Sequence, residues 1–239
     1  MGVNLAMELL FNILRVLHII GGFVALFLFW VPIVTKKGGR LHHLFGWIYV
    51  YGMIVVAISA FYMGFFRIFI DPSATDEVVS FSWFLIFISI LSSASAYYGL
   101  RVLRFKNRKE PHTHPLDLAY PGLLLTSGIG ISIYGFVQHI PLLSWFPILG
   151  ILLGITHLFY WLQKPKRKMH WWFEHFAGML ACCISTLTAF IVFGAPRLLN
   201  VESVSIFLWF LPTIVITPLI IGLGIYYTRK FNKPKNLHV

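Results

Sequence analysis

Long apolar runs alternate with short polar ones along the whole chain. A helix needs roughly 20 mostly apolar residues to cross a bilayer. Seven runs reach about that length, at roughly 11–34, 43–66, 79–103, 117–139, 144–163, 171–194 and 204–228. Lipid leaves only helices and closed barrels as spanning structures. The alternation of polar and apolar residues that marks barrel strands is missing. The pattern therefore predicts an all-α polytopic transmembrane helix bundle of seven helices. Residues 1–239 form a single integral membrane domain in this reading, with no soluble domain. The short polar turn from Ile140 to Ser144 predicts that the fourth and fifth spans are antiparallel neighbours. The first run contains Glu8 and Arg15 and lacks a basic start and a small-residue cleavage site, so it reads as a retained span rather than a signal peptide.

Composition supports this class. The chain is 58% hydrophobic and only 11% charged, against about 25% charged in soluble domains. A net charge of +11 raises the question of nucleic acid, but the positions of the charges exclude it. Most Lys and Arg fall in four clusters: Lys36, Lys37, Arg40; Arg101, Arg104, Lys106, Arg108, Lys109; Lys164, Lys166, Arg167, Lys168; and Arg229, Lys230, Lys233, Lys235. Two apolar runs separate each cluster from the next, so all four fall on one side of a membrane. Asp71, Asp76, Glu77 and Glu202 fall on the other. The positive-inside rule then predicts an outside N-terminus and a cytoplasmic C-terminus, and the expected location is a plasma or bacterial inner membrane. The partners this implies are the lipid bilayer and, at the cytoplasmic face, anionic lipid headgroups. Cys182 and Cys183 are adjacent within a span, a placement that disfavours a disulfide between them.

The histidines carry the candidate chemistry. Using a rise of about 1.5 Å per helical residue, the basic clusters serve as depth markers. His18 and His139 lie in an outer layer. His42 or His43, His157, His170 and His175 lie in an inner layer, with Asp117 and Glu174 nearby. His42 shares a helix face with Gly46, Met53, Ala60 and Gly64, which marks it as bundle-facing; His43 points about 100° away, toward headgroups. Ionisable groups inside a membrane are costly and point to function, and neutral imidazole is a common metal ligand. The bland alternative for each histidine is a single hydrogen bond between helices. Taken together, His42, His157 and His175 are the expected metal ligands, and His18 is a further cofactor-binding candidate. The expected group is haem b or a transition metal, zinc or iron. Two layers of paired imidazoles also suggest an electron path across the membrane.

The turn from Lys37 through Gly38-Gly39-Arg40-Leu41 to His42, ending at Gly46, follows His18-x-x-x-Gly22. It resembles the signature of a family of uncharacterised bacterial multi-pass membrane proteins. His175-x-x-x-Met179, followed by Thr188-Ala189-Phe190, is similar to that family's second signature. The likeness covers spans one, two and six. The family commonly has Arg after the first His of the turn; here His43 stands in that place. The resemblance implies a multi-pass membrane fold and no particular activity. The two-layer histidine pattern is also similar in logic to transmembrane b561-type cytochromes, although the helix placement differs.

Other motifs are weaker. His170 and His175 are five apart, not the four that a metalloprotease helix requires. His112-Thr113-His114 in the basic loop reads as a Pro-flanked solvated segment. No phosphate loop, dinucleotide fingerprint or nucleophile elbow is present. The expectation is a metal- or haem-binding membrane protein serving electron transfer. The alternatives are a small-molecule or ion transporter, with helices broken at Gly128-Ile129-Gly130 or at Pro212 and Pro218, and a zinc-dependent lipid hydrolase.

Overall fold

A computed structural model describes residues 2–201 and 205–232. The elements are α1 (Gly2–Leu28), α2 (Trp30–Val34), α3 (Arg40–Phe69), α4 (Asp76–Arg101), a 3-10 turn (Val102–Phe105), α5 (Pro115–Val137), α6 (Pro141–Trp145), α7 (Pro147–Leu162), α8 (His170–Ala189), a π-helical turn (Phe190–Gly194), α9 (Ala195–Leu199) and α10 (Ile206–Asn232). No strand occurs among the described residues. Seven helical stretches are long and apolar enough to cross a membrane: Leu5–Val34, Arg40–Phe69, Asp76–Phe105, Pro115–Val137, Pro141–Leu162, His170–Leu199 and Ile206–Phe231. Each contains the greater part of one expected span. Spans four and five are antiparallel neighbours, joined by a turn in which His139 adopts a left-handed φ of 53°.

Local sequence explains the boundaries. Thr75 caps α4 by accepting from the Val78 amide, and Asp76 and Glu77 complement the positive end of that helix. Pro115 and Pro147 open α5 and α7 at positions where the missing N–H costs nothing. The polar clusters Lys36–Arg40, Arg104–Lys109, Lys164–Lys168 and Arg229–Lys230 meet at one end of the bundle, hereafter the basic end. Contacts such as Lys106 over Trp171 and Arg167 to Thr228 tie this end together. Lys233, Lys235 and Glu202 lie outside the described residues.

α4 is the central post. It packs on α3, α5 and α8, while α1 lies against α3, α7 against α5, and α10 against α8. Its buried face carries Ser80, Ser82, Ser89, Ser92, Ser95, Ala94 and Gly99, small residues that let helix backbones approach where no water-driven force assembles them. Toward the end opposite the basic clusters, Phe84, Phe87, Leu124, Leu143, Phe146 and Trp209 form an aromatic-rich core. Nearer the basic end, Ala25, Phe29, Tyr49, Met53, Cys182 and Cys183 form a second one. The fold is that of a multi-pass membrane protein.

Candidate functional site

The sequence of α3 opens with His42 in its first turn, and that of α8 brings His175 to its second. The structure places these two imidazoles together, with ring centroids 6.3 Å apart and planes inclined at 70°. Each is fixed from behind in the same way. His42 donates through Nδ1 to the carbonyl oxygen of Pro32 at 3.0 Å. His175 donates through Nδ1 to the carbonyl oxygen of Gly99 at 2.7 Å. A carbonyl only accepts, so Nδ1 carries the proton and Nε2 keeps its lone pair in both rings. Neither Nε2 makes a hydrogen bond among the described residues.

Both accepting carbonyls lie in the last turns of neighbouring spans, where helix geometry leaves carbonyls without a partner and the dipole is negative. Lys37 caps the same end of the first span, bonding the carbonyls of Pro32 and Ile33. Partial burial there moves the Lys37 ammonium below the ordinary lysine value. The Gly99 carbonyl reaches His175 because α4 and α8 cross closely. A Cβ added at Gly178 would lie 2.9 Å from the Gly99 Cα and 3.0 Å from its nitrogen. Deeper in the bundle, α3 and α8 are joined again by the Tyr49 and Thr186 hydroxyls at 3.1 Å.

The third expected ligand is elsewhere. His157 is buried at 4% exposure on α7, and its ring lies flat on that of Tyr98, with centroids 3.7 Å apart. Tyr98 belongs to α4, and its hydroxyl donates to Glu174 of α8 at 2.5 Å. Tyr98 therefore stands between α7 and α8 and links His157 to them by stacking rather than ligation. Among the described residues no three His, Cys, Asp or Glu side chains converge on a point where they would hold a metal ion. Of the three expected ligands, the structure brings His42 and His175 together and sets His157 apart against Tyr98. His18 donates through Nδ1 to the Val56 carbonyl at 3.2 Å, and its Nδ1 also lies 3.0 Å from the Ser59 hydroxyl. His139 is exposed in the α5–α6 turn, on the far side of α4 from α1, so the outer layer is not a pair.

A second polar cluster surrounds Asp117. Asp117, fully buried in the first turn of α5, accepts from Arg101 Nε at 2.6 Å and Nη2 at 2.9 Å, from Tyr97 at 2.8 Å and from His112 Nε2 at 2.6 Å. His112 packs against Phe105 and Trp161 and donates its amide to the Trp161 carbonyl. Arg108 and His112 thus tie the 106–114 loop to the end of α7, while its other residues are exposed as expected. Arg101 and Arg108 also do more than mark topology. Arg108 closes the end of α7 through the carbonyls of Tyr160 and Gln163, each at 2.8 Å. The sequence signal for this cluster was a carboxylate in the first helical turn flanked by Arg and His in the preceding loop.

Helices expected to break do not. α5 runs unbroken through Gly128 and Gly130, and α10 through Pro212 and Pro218. The irregularity lies in span six instead, at the π-helical turn Phe190–Gly194. Comparison with protein-family models, with curated proteins and with solved structures finds no match to this chain.

Proposed function

We propose that this is a membrane redox protein whose His42 and His175 bind a metal centre through their Nε2 atoms. One observation carries the reading: two imidazoles from different helices face each other's neighbourhood at 6.3 Å, each with Nδ1 spent on a main-chain carbonyl. Metal-ligating histidines are oriented in this way, because the carbonyl fixes the tautomer and raises the basicity of the other nitrogen. Both carbonyls terminate helices, so the negative end of each dipole adds to that effect. The main-chain carbonyls of Pro32 and Gly99 fix the orientation of the two half-buried rings.

The resemblance to the uncharacterised bacterial family fits this reading, since His42 and His175 both lie in the segments that carry it. With the basic end toward the cytoplasm, as the positive-inside rule requires, the site lies close to the inner surface of a bacterial plasma membrane. Anionic headgroups then contact the Lys and Arg around it. A zinc hydrolase is the weaker reading, because among the described residues no three protein donors gather. A transporter built on broken α5 and α10 loses its support.

The test is an absorption spectrum combined with elemental analysis of full-length protein purified from its native membrane. Wild type should carry a stoichiometric transition metal. H42A and H175A should lose it, whereas H157A and H18A should keep it. Wild-type protein free of haem and of any stoichiometric metal would sink the reading.

A further inference from the structure

The donor count at the His42–His175 pair constrains what binds there. Zinc in a protein is held by three or four side-chain donors, and Ca2+ or Mg2+ by oxygen ligands. The pair offers two nitrogens, and no third His, Cys, Asp or Glu joins them among the described residues. A tetrapyrrole supplies the remaining donors itself and needs only two axial imidazoles. Metal–nitrogen bonds of about 2 Å place each imidazole centroid roughly 3 Å from the iron, so axial rings stand roughly 6 Å apart. The separation here is 6.3 Å.

A flat macrocycle also needs an open face beside its ligands, and α3 provides one. Gly46 lies one turn after His42 on the same helix face. A Cβ built at Gly46 would meet nothing within 4 Å, whereas one at Gly178 would strike α4 at 2.9 Å. Between His42 and the next link to α8, at Tyr49, α3 advances roughly 10 Å. Tyr49, Val50, Leu100, Met179 and Cys183 pack in the apolar core next to this interval. Its rim is basic. Lys106 sits with Nζ 4.8 Å from the ring centre of Trp171, one turn before His175, and Arg40 precedes His42 by two residues.

Resting on the redox-centre reading above, we infer that the site takes a dicarboxylate iron tetrapyrrole of the haem b class. Its iron lies between His42 and His175, its carboxylates point to the Lys106 rim, and Gly46 keeps the slot open. Gly46 is then the residue that selects a macrocycle over a bare ion.

The test titrates the full-length, detergent-purified protein with haem b, with the dimethyl ester of haem b and, separately, with Cu2+. Wild type should bind one haem b with a low-spin, bis-imidazole spectrum. The ester should bind at least tenfold more weakly. G46A should bind haem b as wild type does, and G46F at least tenfold more weakly with an unchanged helical circular dichroism spectrum. Equal affinity of G46F and wild type overturns the role of Gly46. Equal affinity for haem and its ester overturns the orientation, and that measurement needs only wild type, should G46F fail to fold. Binding of Cu2+ but not haem, abolished in H42A, overturns this inference and leaves the redox-centre reading standing. Binding of neither overturns both.

Discussion

The Nδ1 of His175 reaches the Gly99 carbonyl at 2.7 Å at the place where α4 and α8 come closest. The distance between two helices therefore also sets a hydrogen bond that orients the His175 ring. Filling the contact should lengthen both. G178V forces side-chain carbon against the Gly99 backbone, and overpacking of this kind costs about 1–3 kcal/mol. Thermal unfolding in detergent should show that loss, and the centre held at His175 should loosen in the same variant. A variant that melts as wild type does would mean that the helices separate without cost.

The Arg101–Asp117 pair is the most buried contact between an Arg or Lys and a carboxylate among the described residues. Asp117 is fully buried and Arg101 is 21% exposed, so removing either partner strands a charge away from water. Breaking such a pair costs about 3–5 kcal/mol, and replacing both partners with apolar groups costs far less. D117A and R101A should each fall near the lower end of that range, because Arg101 keeps some solvent. The double variant R101M/D117L should recover more than half of the loss. Additive losses in the double variant would show that the pair is not coupled.

Much of the fold is legible in the sequence because a bilayer turns composition into topology. An apolar run of sufficient length has no choice but to form a helix, and basic clusters mark its ends. Which helix sits at the centre follows a quieter signal. The Ser, Ala and Gly residues of α4 lower its hydropathy and permit close contact on several sides, and a count of apolar residues does not register this. The site divides in the same way. Helical phase brought His42 to the interior and sent His43 to the exposed surface. Depth alone grouped His157 with His42 and His175, yet depth says nothing of azimuth, and Tyr98 of α4 stands in between. The docking of His112 on Asp117 depends on a loop folding back under α7, a long-range event without periodicity to announce it.

Asp71 gives a pH dependence at the end opposite the basic clusters. It lies in the loop between α3 and α4, where its carboxylate accepts from the Ser73 hydroxyl at 2.6 Å, the Ser73 amide at 3.0 Å and Arg67 at 2.6 Å. The Ser73 hydroxyl first, opposed by burial, and then the Ser73 amide and the Arg67 charge hold the Asp71 carboxyl below its usual value. A value depressed by folding contributes stability that is complete above the unfolded value and is lost as pH falls through the folded one. D71N should therefore be slightly less stable than wild type at pH 7, by less than about 1 kcal/mol for so screened a site. The difference should close on acidification below the ordinary carboxylate range. Melting temperatures of the two proteins across that range decide it, and a constant gap would refute the assignment.

Arg108 separates charge from shape. Its two Nη atoms close the last carbonyls of α7, and its guanidinium plane lies 4.4 Å from the ring centre of Tyr160 and 5.6 Å from that of Trp161. Lysine keeps the charge but has neither the planar fork nor the face that stacks on an aromatic ring. If charge near a helix end were the whole contribution, R108K would be nearly silent, since a dipole interaction is worth about 0.3–1 kcal/mol and lysine retains it. The geometry argues that the directed bonds matter more, because hydrogen bonds from a charged donor contribute about 1.5–3 kcal/mol. R108K should thus lose most of what R108A loses, and the 106–114 loop should become cleavable by protease in both. A lysine variant as stable and as protected as wild type would return Arg108 to the role its sequence position first suggested, that of one more positive charge beside a membrane.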